Sequence, residues 1–122
     1  MKWLLSAWAV SGLFLLTPAG PAAASAGATL TAGQLRGLCT AQIGSTQAKS
    51  CQAYIQGILD YHTLLRSMEH SPGVDFCVPD SITHAELQMV VGGYLNKEKQ
   101  NDSFIAAPAV ALALSENYPC TE

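Results

Sequence analysis

Four cysteines in a chain of 122 residues constrain this sequence more than any other feature. They stand at Cys39, Cys51, Cys77 and Cys120. An even number in a short chain reads as a disulfide framework, provided the chain leaves the reducing cytosol. The N-terminus supplies that condition. Met1-Lys2 is a positive start, and Trp3 to Leu16 is an apolar run broken only by Ser6, Ser11 and Gly12. Thr17-Pro18-Ala19-Gly20-Pro21 ends any helix there, and Ala22-Ala23-Ala24 and Ala24-Ser25-Ala26 fit the small-x-small pattern of signal peptidase sites. The apolar run is shorter than the roughly 18 residues a membrane anchor needs. Residues 1–24 therefore read as a cleaved signal peptide, and the product as an exported protein with no membrane span after cleavage.

Cleavage after Ala24 leaves 98 residues, enough for one domain with a thin core. The same segment has five Lys or Arg against nine Asp or Glu, a formal charge of −4. Nucleic acid is a poor partner for such a surface, because phosphate binding needs clustered cations. The cysteine spacings are too long for a zinc site, and His62, His70 and His84 do not complete one. No metal or other cofactor is expected.

Four helices are predicted. Residues 25–30 read as a loose leader. Thr31-Ala-Gly-Gln34 has the form of a capping box and opens a short helix to Cys39, with Leu35, Leu38 and Cys39 on one face. A long helix follows from about Thr46 to Glu69. Cys51, Tyr54, Ile55, Ile58, Leu59, His62 and Leu65 form its apolar stripe. Tyr61, Leu64 and Met68 broaden that stripe and predict neighbours on more than one side. Gly57, in its middle, predicts the close approach of another helix. Ser71-Pro72-Gly73 breaks the chain.

The third helix opens on a second capping box, Thr83-His-Ala-Glu86, and carries Leu87, Val90, Val91, Tyr94 and Leu95. Gly92-Gly93 within it marks a kink or a tight crossing. The polar run Asn96 to Asp102 either extends this helix or forms an exposed loop. The fourth helix lies within Ala106 to Tyr118, with Pro108 in its first turn. Val110, Leu112 and Leu114 alternate as in a strand, but the alanines favour helix.

The fold class is thus all-α: a small four-helix bundle with two disulfides. Short connections imply antiparallel neighbours. The second helix separates its ends by about 27 Å at ~1.5 Å per residue, whereas bridged Cα atoms lie within about 7 Å. An up-down order then favours Cys39–Cys51 and Cys77–Cys120. A loop folding back leaves Cys51–Cys77 open as an alternative.

Nothing in the sequence forms a catalytic set. G-x-S-x-G, H-E-x-x-H and glycine-rich phosphate loops are lacking. All four thiols are assigned to bridges, Asp60 and His62 point to different helix faces, and Glu86 serves as a cap. The expectation is a binding protein and not an enzyme, with the loops Glu69–Pro79 and Asn96–Ser103 as the exposed polar segments.

Several pieces occur together in order: Cys51-x-x-Tyr54-Ile55-x-Gly57-Ile58-x-Asp60, Phe76-Cys77-x-Pro79, Thr83-x-x-Glu86-Leu87-x-x-Val90-Val91-x-x-Tyr94-Leu95, Ala111-Leu112 and Tyr118-Pro119-Cys120. This set resembles the Rap/Tai family of immunity proteins, from about Leu35 to Cys120, and residues 31–120 are expected to form the helical immunity domain. Gly92-Gly93 departs from the larger residues usual there, and Lys97–Ser103 lacks a proline often found after the third helix. The resemblance implies a periplasmic helical protein, commonly a homodimer. Such a protein binds a toxic peptidoglycan amidase delivered by type VI secretion and blocks its cleft. It also implies partner contacts on the loop after helix three, at Asn96, Lys97, Glu98, Asn101 and Asp102, and on the exposed side of that helix. The rival reading is a periplasmic stress chaperone of the acid-activated type.

Overall fold

The structure is a computed structural model and describes residues 29–121. The signal peptide assignment and residues 25–28 of the leader lie outside the described residues. Among the described residues four α-helices form: α1 (Ala32–Cys39), α2 (Thr46–Ser67), α3 (His84–Lys97) and α4 (Ala106–Asn117). A single 3₁₀ turn, Lys99–Asn101, joins α3 to α4. The all-α expectation holds, and no described helix is long and apolar enough to cross a membrane.

Both capping boxes form. The Thr31 hydroxyl accepts from the Gln34 N–H, and the Gln34 side chain accepts from the Thr31 N–H at 3.0 Å. Thr83 and Glu86 repeat the arrangement at α3. α2 has a cap the sequence reading missed, with Ser45 accepting from the Ala48 N–H. Its C-terminus is closed by two reversed hydrogen bonds, His70 N–H to Leu65 O at 2.9 Å and Glu69 N–H to Arg66 O at 3.1 Å. That closure holds Glu69 at φ 58°, where glycine is the usual residue.

The Ile105 side chain makes no cap hydrogen bond at the start of α4; the incoming chain occupies that end instead. Leu30 O accepts from the Ala106 N–H at 2.9 Å, and the Ala32 N–H donates to Phe104 O at 2.8 Å. Thr31 and Ile105 form an isolated antiparallel bridge. The leader is therefore docked from Leu30 onward, because its carbonyl meets a donor that the helix start leaves free.

Leu35, Cys51, Ile55, Leu87, Val91, Leu95, Val110 and Leu114 meet in one core. The stripes expected on α2 and α3 face it, apart from Leu65 and Val90, which are half-buried outside this cluster. Tyr61, Leu64 and Met68 do not: they are 60%, 51% and 55% exposed, and no second neighbour covers them. Gln88 is a large polar side chain at the centre. It is 1% exposed and satisfied by Cys39 O, Ala41 O and the Gln52 amide. A buried amide holding two carbonyls at the end of α1 fixes the α1–α3 register, since leaving them unpaired costs more than the bond gains.

The sulfurs pair as Cys39–Cys51 and Cys77–Cys120, with Cα separations of 5.1 and 4.9 Å. Of the expectations at the glycines, the tight crossing at Gly92-Gly93 holds and the close approach at Gly57 does not. A Cβ on Gly57 would meet nothing within 4 Å, so no helix approaches there. The tight crossing is at Gly92, where a Cβ would lie 3.0 Å from Cys39 O. α3 continues as a helix through Gly92-Gly93 to Lys97.

These two positions should respond oppositely to alanine. Gly57→Ala should stabilise the fold by about 0.5–1 kcal/mol through helix propensity alone. Gly92→Ala should lower the melting temperature, because the opposing backbone is pinned by the adjacent disulfide and cannot withdraw. Thermal unfolding of both variants checks this; equal shifts would contradict it.

Candidate protein-docking surface

The polar run after α3 is a compact corner. Asn96 and Lys97 finish α3 and are exposed; Lys99–Asn101 turn the chain. The Arg36 guanidinium pairs with the Asp102 carboxylate, which also accepts from Arg36 Nε at 3.3 Å. Asp102 O accepts from the Gly33 N–H at 3.0 Å, and a Cβ on Gly33 would lie 3.0 Å from Asp102 Cβ. Of the five residues predicted as contacts, Asp102 is therefore tied to α1. Asn96 and Lys97 face solvent, while Glu98 and Asn101 are half-buried on the edge of a groove.

That groove runs between the second half of α3 and the start of α4. Its volume is about 330 Å³, and its walls include Tyr94, Leu95, Phe104, Ile105, Pro108 and Leu112. Phe104 is 64% exposed, Ile105 54% and Leu112 41%. Burial pushes the Tyr94 phenol above its ordinary pKa, and the charges of Glu116 and Glu98 add to the shift. It stands in the wall as a neutral hydroxyl. Large apolar side chains clustered at a rim with mixed charge are the composition of a protein-docking patch.

The polar residues of this corner are the contacts expected from the sequence; its exposed apolar residues are not among them. A signal was present. Phe104-Ile105 is an apolar pair directly after a polar run. Leu112 also falls out of the helical phase set by Val110, Ala113 and Leu114, so its alternation with them meant exposure and not a strand.

The other expected loop, between α2 and α3, is tied down. Asp75 gathers three donors: His62 Nε2 at 2.7 Å from Oδ1, Arg66 Nη1 at 3.2 Å, and the Phe76 N–H at 3.0 Å. The His62 ring stacks on Phe76 with centroids 3.9 Å apart. His62 is buried, as packing had suggested, but its neighbour Tyr61 is not. Loss of water around the Asp75 carboxyl pushes its pKa up. The His62 hydrogen bond, the Arg66 charge and the Phe76 N–H outweigh this, so it sits below the ordinary value. This cluster anchors the loop. Among the described residues, no group of three or more His, Cys, Asp or Glu could hold a metal ion.

A family model described as Rap1a immunity proteins matches residues 31–120. The chain belongs to the Rap1a immunity protein family. No curated protein and no solved structure matches it. The family is one of immunity proteins and is non-enzymatic, and an immunity protein binds a toxin effector. Two disulfides fit an extracytoplasmic member of the Rap1a family.

A carboxyl held below its unfolded pKa stabilises the fold at pH above that value, and the gain is lost as pH falls through the folded value. Asp75→Asn should therefore be less stable than the wild type at neutral pH. The gap should close as the pH falls below about 4, the ordinary carboxylate range. Denaturant titrations across that window check it; a gap constant with pH would contradict it.

Proposed function

We propose that this chain is a periplasmic immunity protein that binds a peptidoglycan amidase effector of type VI secretion and occludes its cleft. Membership of the Rap1a immunity family supports the class of partner. The observation that carries the choice of face is the apolar groove, with Phe104, Ile105 and Leu112 exposed along it. Exposed aromatic and aliphatic anchors are the residues that supply most binding energy at protein interfaces, once the partner removes them from water. Asn96, Lys97, Glu98 and Asn101 flank these anchors and serve as the polar rim. Asp102 acts indirectly: its pairing with Arg36 holds the corner in place.

Occlusion suits a scaffold of this kind. The corner is anchored to α1 through Asp102 and to the leader through Ala106, so little order has to be gained on binding. The partner loses its activity because its substrate can no longer enter, and no chemistry is needed from the immunity protein.

The test uses the protein without residues 1–24 and an exported peptidoglycan amidase, whose gene this function places beside that of the chain. A stoichiometric complex should form at neutral pH and abolish peptidoglycan cleavage. Phe104→Ala and Leu112→Arg should each weaken it by about 2 kcal/mol or more, roughly 30-fold in Kd, with the fold intact because both side chains are exposed. Full inhibition by both variants would overturn the choice of face. Failure of the wild type to bind the amidase, with general suppression of client aggregation in acid, would overturn the function.

A further inference from the structure

The two disulfides occupy unlike surroundings. Cys39 and Cys51 are 4% and 0% exposed, within the core. Cys77 is exposed and Cys120 half-buried. Arg66 Nη1 lies 3.5 Å from Cys77 Sγ and 3.6 Å from Cys120 Sγ, within reach of both sulfurs of the outer bridge. An open cleft of about 530 Å³ leads to it, with Thr63, Arg66, Ser67, Cys77 and Val78 among its walls. Thus one bridge has a cation at its sulfurs and a path for an incoming group, and the other has neither.

Both features bear on thiol–disulfide exchange. The reaction needs access to one sulfur, and it runs faster when the departing sulfur forms a more stable thiolate. A neighbouring guanidinium provides that stabilisation. We propose that Cys77–Cys120 is a thiol–disulfide exchange site that takes a dithiol reductant, with Arg66 as a positioning residue that stabilises the departing thiolate.

One thiolate of the reductant attacks Cys77 Sγ, the more exposed sulfur. The S–S bond breaks, and Cys120 leaves with the electron pair as a thiolate beside Arg66. The second thiolate of the reductant then attacks its partner sulfur in the mixed disulfide and expels Cys77. The dithiol ends as a disulfide, oxidised by two electrons that the bridge has gained. Its two protons pass through solvent to the two cysteines. Asp75 shares the same Arg66 nitrogen, at 3.2 and 3.4 Å, but its carboxylate is also engaged by His62 and the Phe76 N–H. The guanidinium charge is therefore not spent on Asp75 alone.

Reduction would open the closure between Cys77 and Cys120, 43 residues apart, and leave Cys39–Cys51 in place. The probe is dithiothreitol, applied to the folded mature protein at neutral pH, with alkylation and mass spectrometry to locate the freed thiols. Cys77 and Cys120 should label together while Cys39 and Cys51 remain linked. Arg66→Gln should slow that labelling by at least about threefold, the effect of roughly one unit in the leaving thiol's pKa. Arg66→Lys should retain most of the wild-type rate. Mere loosening of the fold would act in the opposite sense, speeding the reaction and exposing both bridges. Simultaneous labelling of all four cysteines, or unchanged or faster labelling in Arg66→Gln, would overturn the proposal.

Discussion

The bridge between Cys39 and Cys51 ties the end of α1 to the start of α2, and the packing depends on that knot. α1 is eight residues long. A helix of that length is unstable in water by itself, because its nucleation cost is spread over few hydrogen bonds. Here it touches all three other helices, so its position decides how they meet. Cys39 is held by sulfur, Cys39 O accepts from the Gln88 amide, and Gly92 lets α3 come against the same carbonyl. A covalent link, a buried amide and a missing side chain thus act on one residue. At its other end α1 is held by the Thr31 cap, the Asp102 pairing and the bridge to Ile105.

The exposed groove follows from this arrangement. Because the leader supplies Leu30 O to the first turn of α4, Phe104 and Ile105 are used through their backbones. Their side chains are left outside, along with Leu112 one face round the helix. A chain under pressure only to fold would gain by burying them, since an apolar side chain of this size contributes about 1.5–3 kcal/mol when removed from water. Keeping them exposed beside a rigid corner is what a binding surface requires.

Much of this was legible in the residues. The first three helices came from the period of their apolar positions and the fourth from its alanines, and helix starts came from Thr31–Gln34 and Thr83–Glu86, where local chemistry decides the outcome. The disulfide pairing followed from the length of α2 and the up-down order. What failed was whatever depends on a distant neighbour. Gly57 and Gly92 look alike in sequence, and only the approach of α1 distinguishes them. Tyr61, Leu64 and Met68 carry the helical period as well as the buried positions do, yet they stay largely exposed. Asp102 looked like a solvated loop residue, although Arg36, 66 residues earlier, claims it. The groove was missed because exposed apolar residues and core residues give the same signal until their phase is compared within one helix.

The most direct test of the account is hydrogen exchange on the folded protein, alone and saturated with the amidase effector proposed as its partner. The account predicts new protection confined to residues 94–112, across the end of α3, the turn and the first half of α4. Protection centred instead on Tyr61 to Met68 and the loop after it, or none anywhere in the chain, would contradict it.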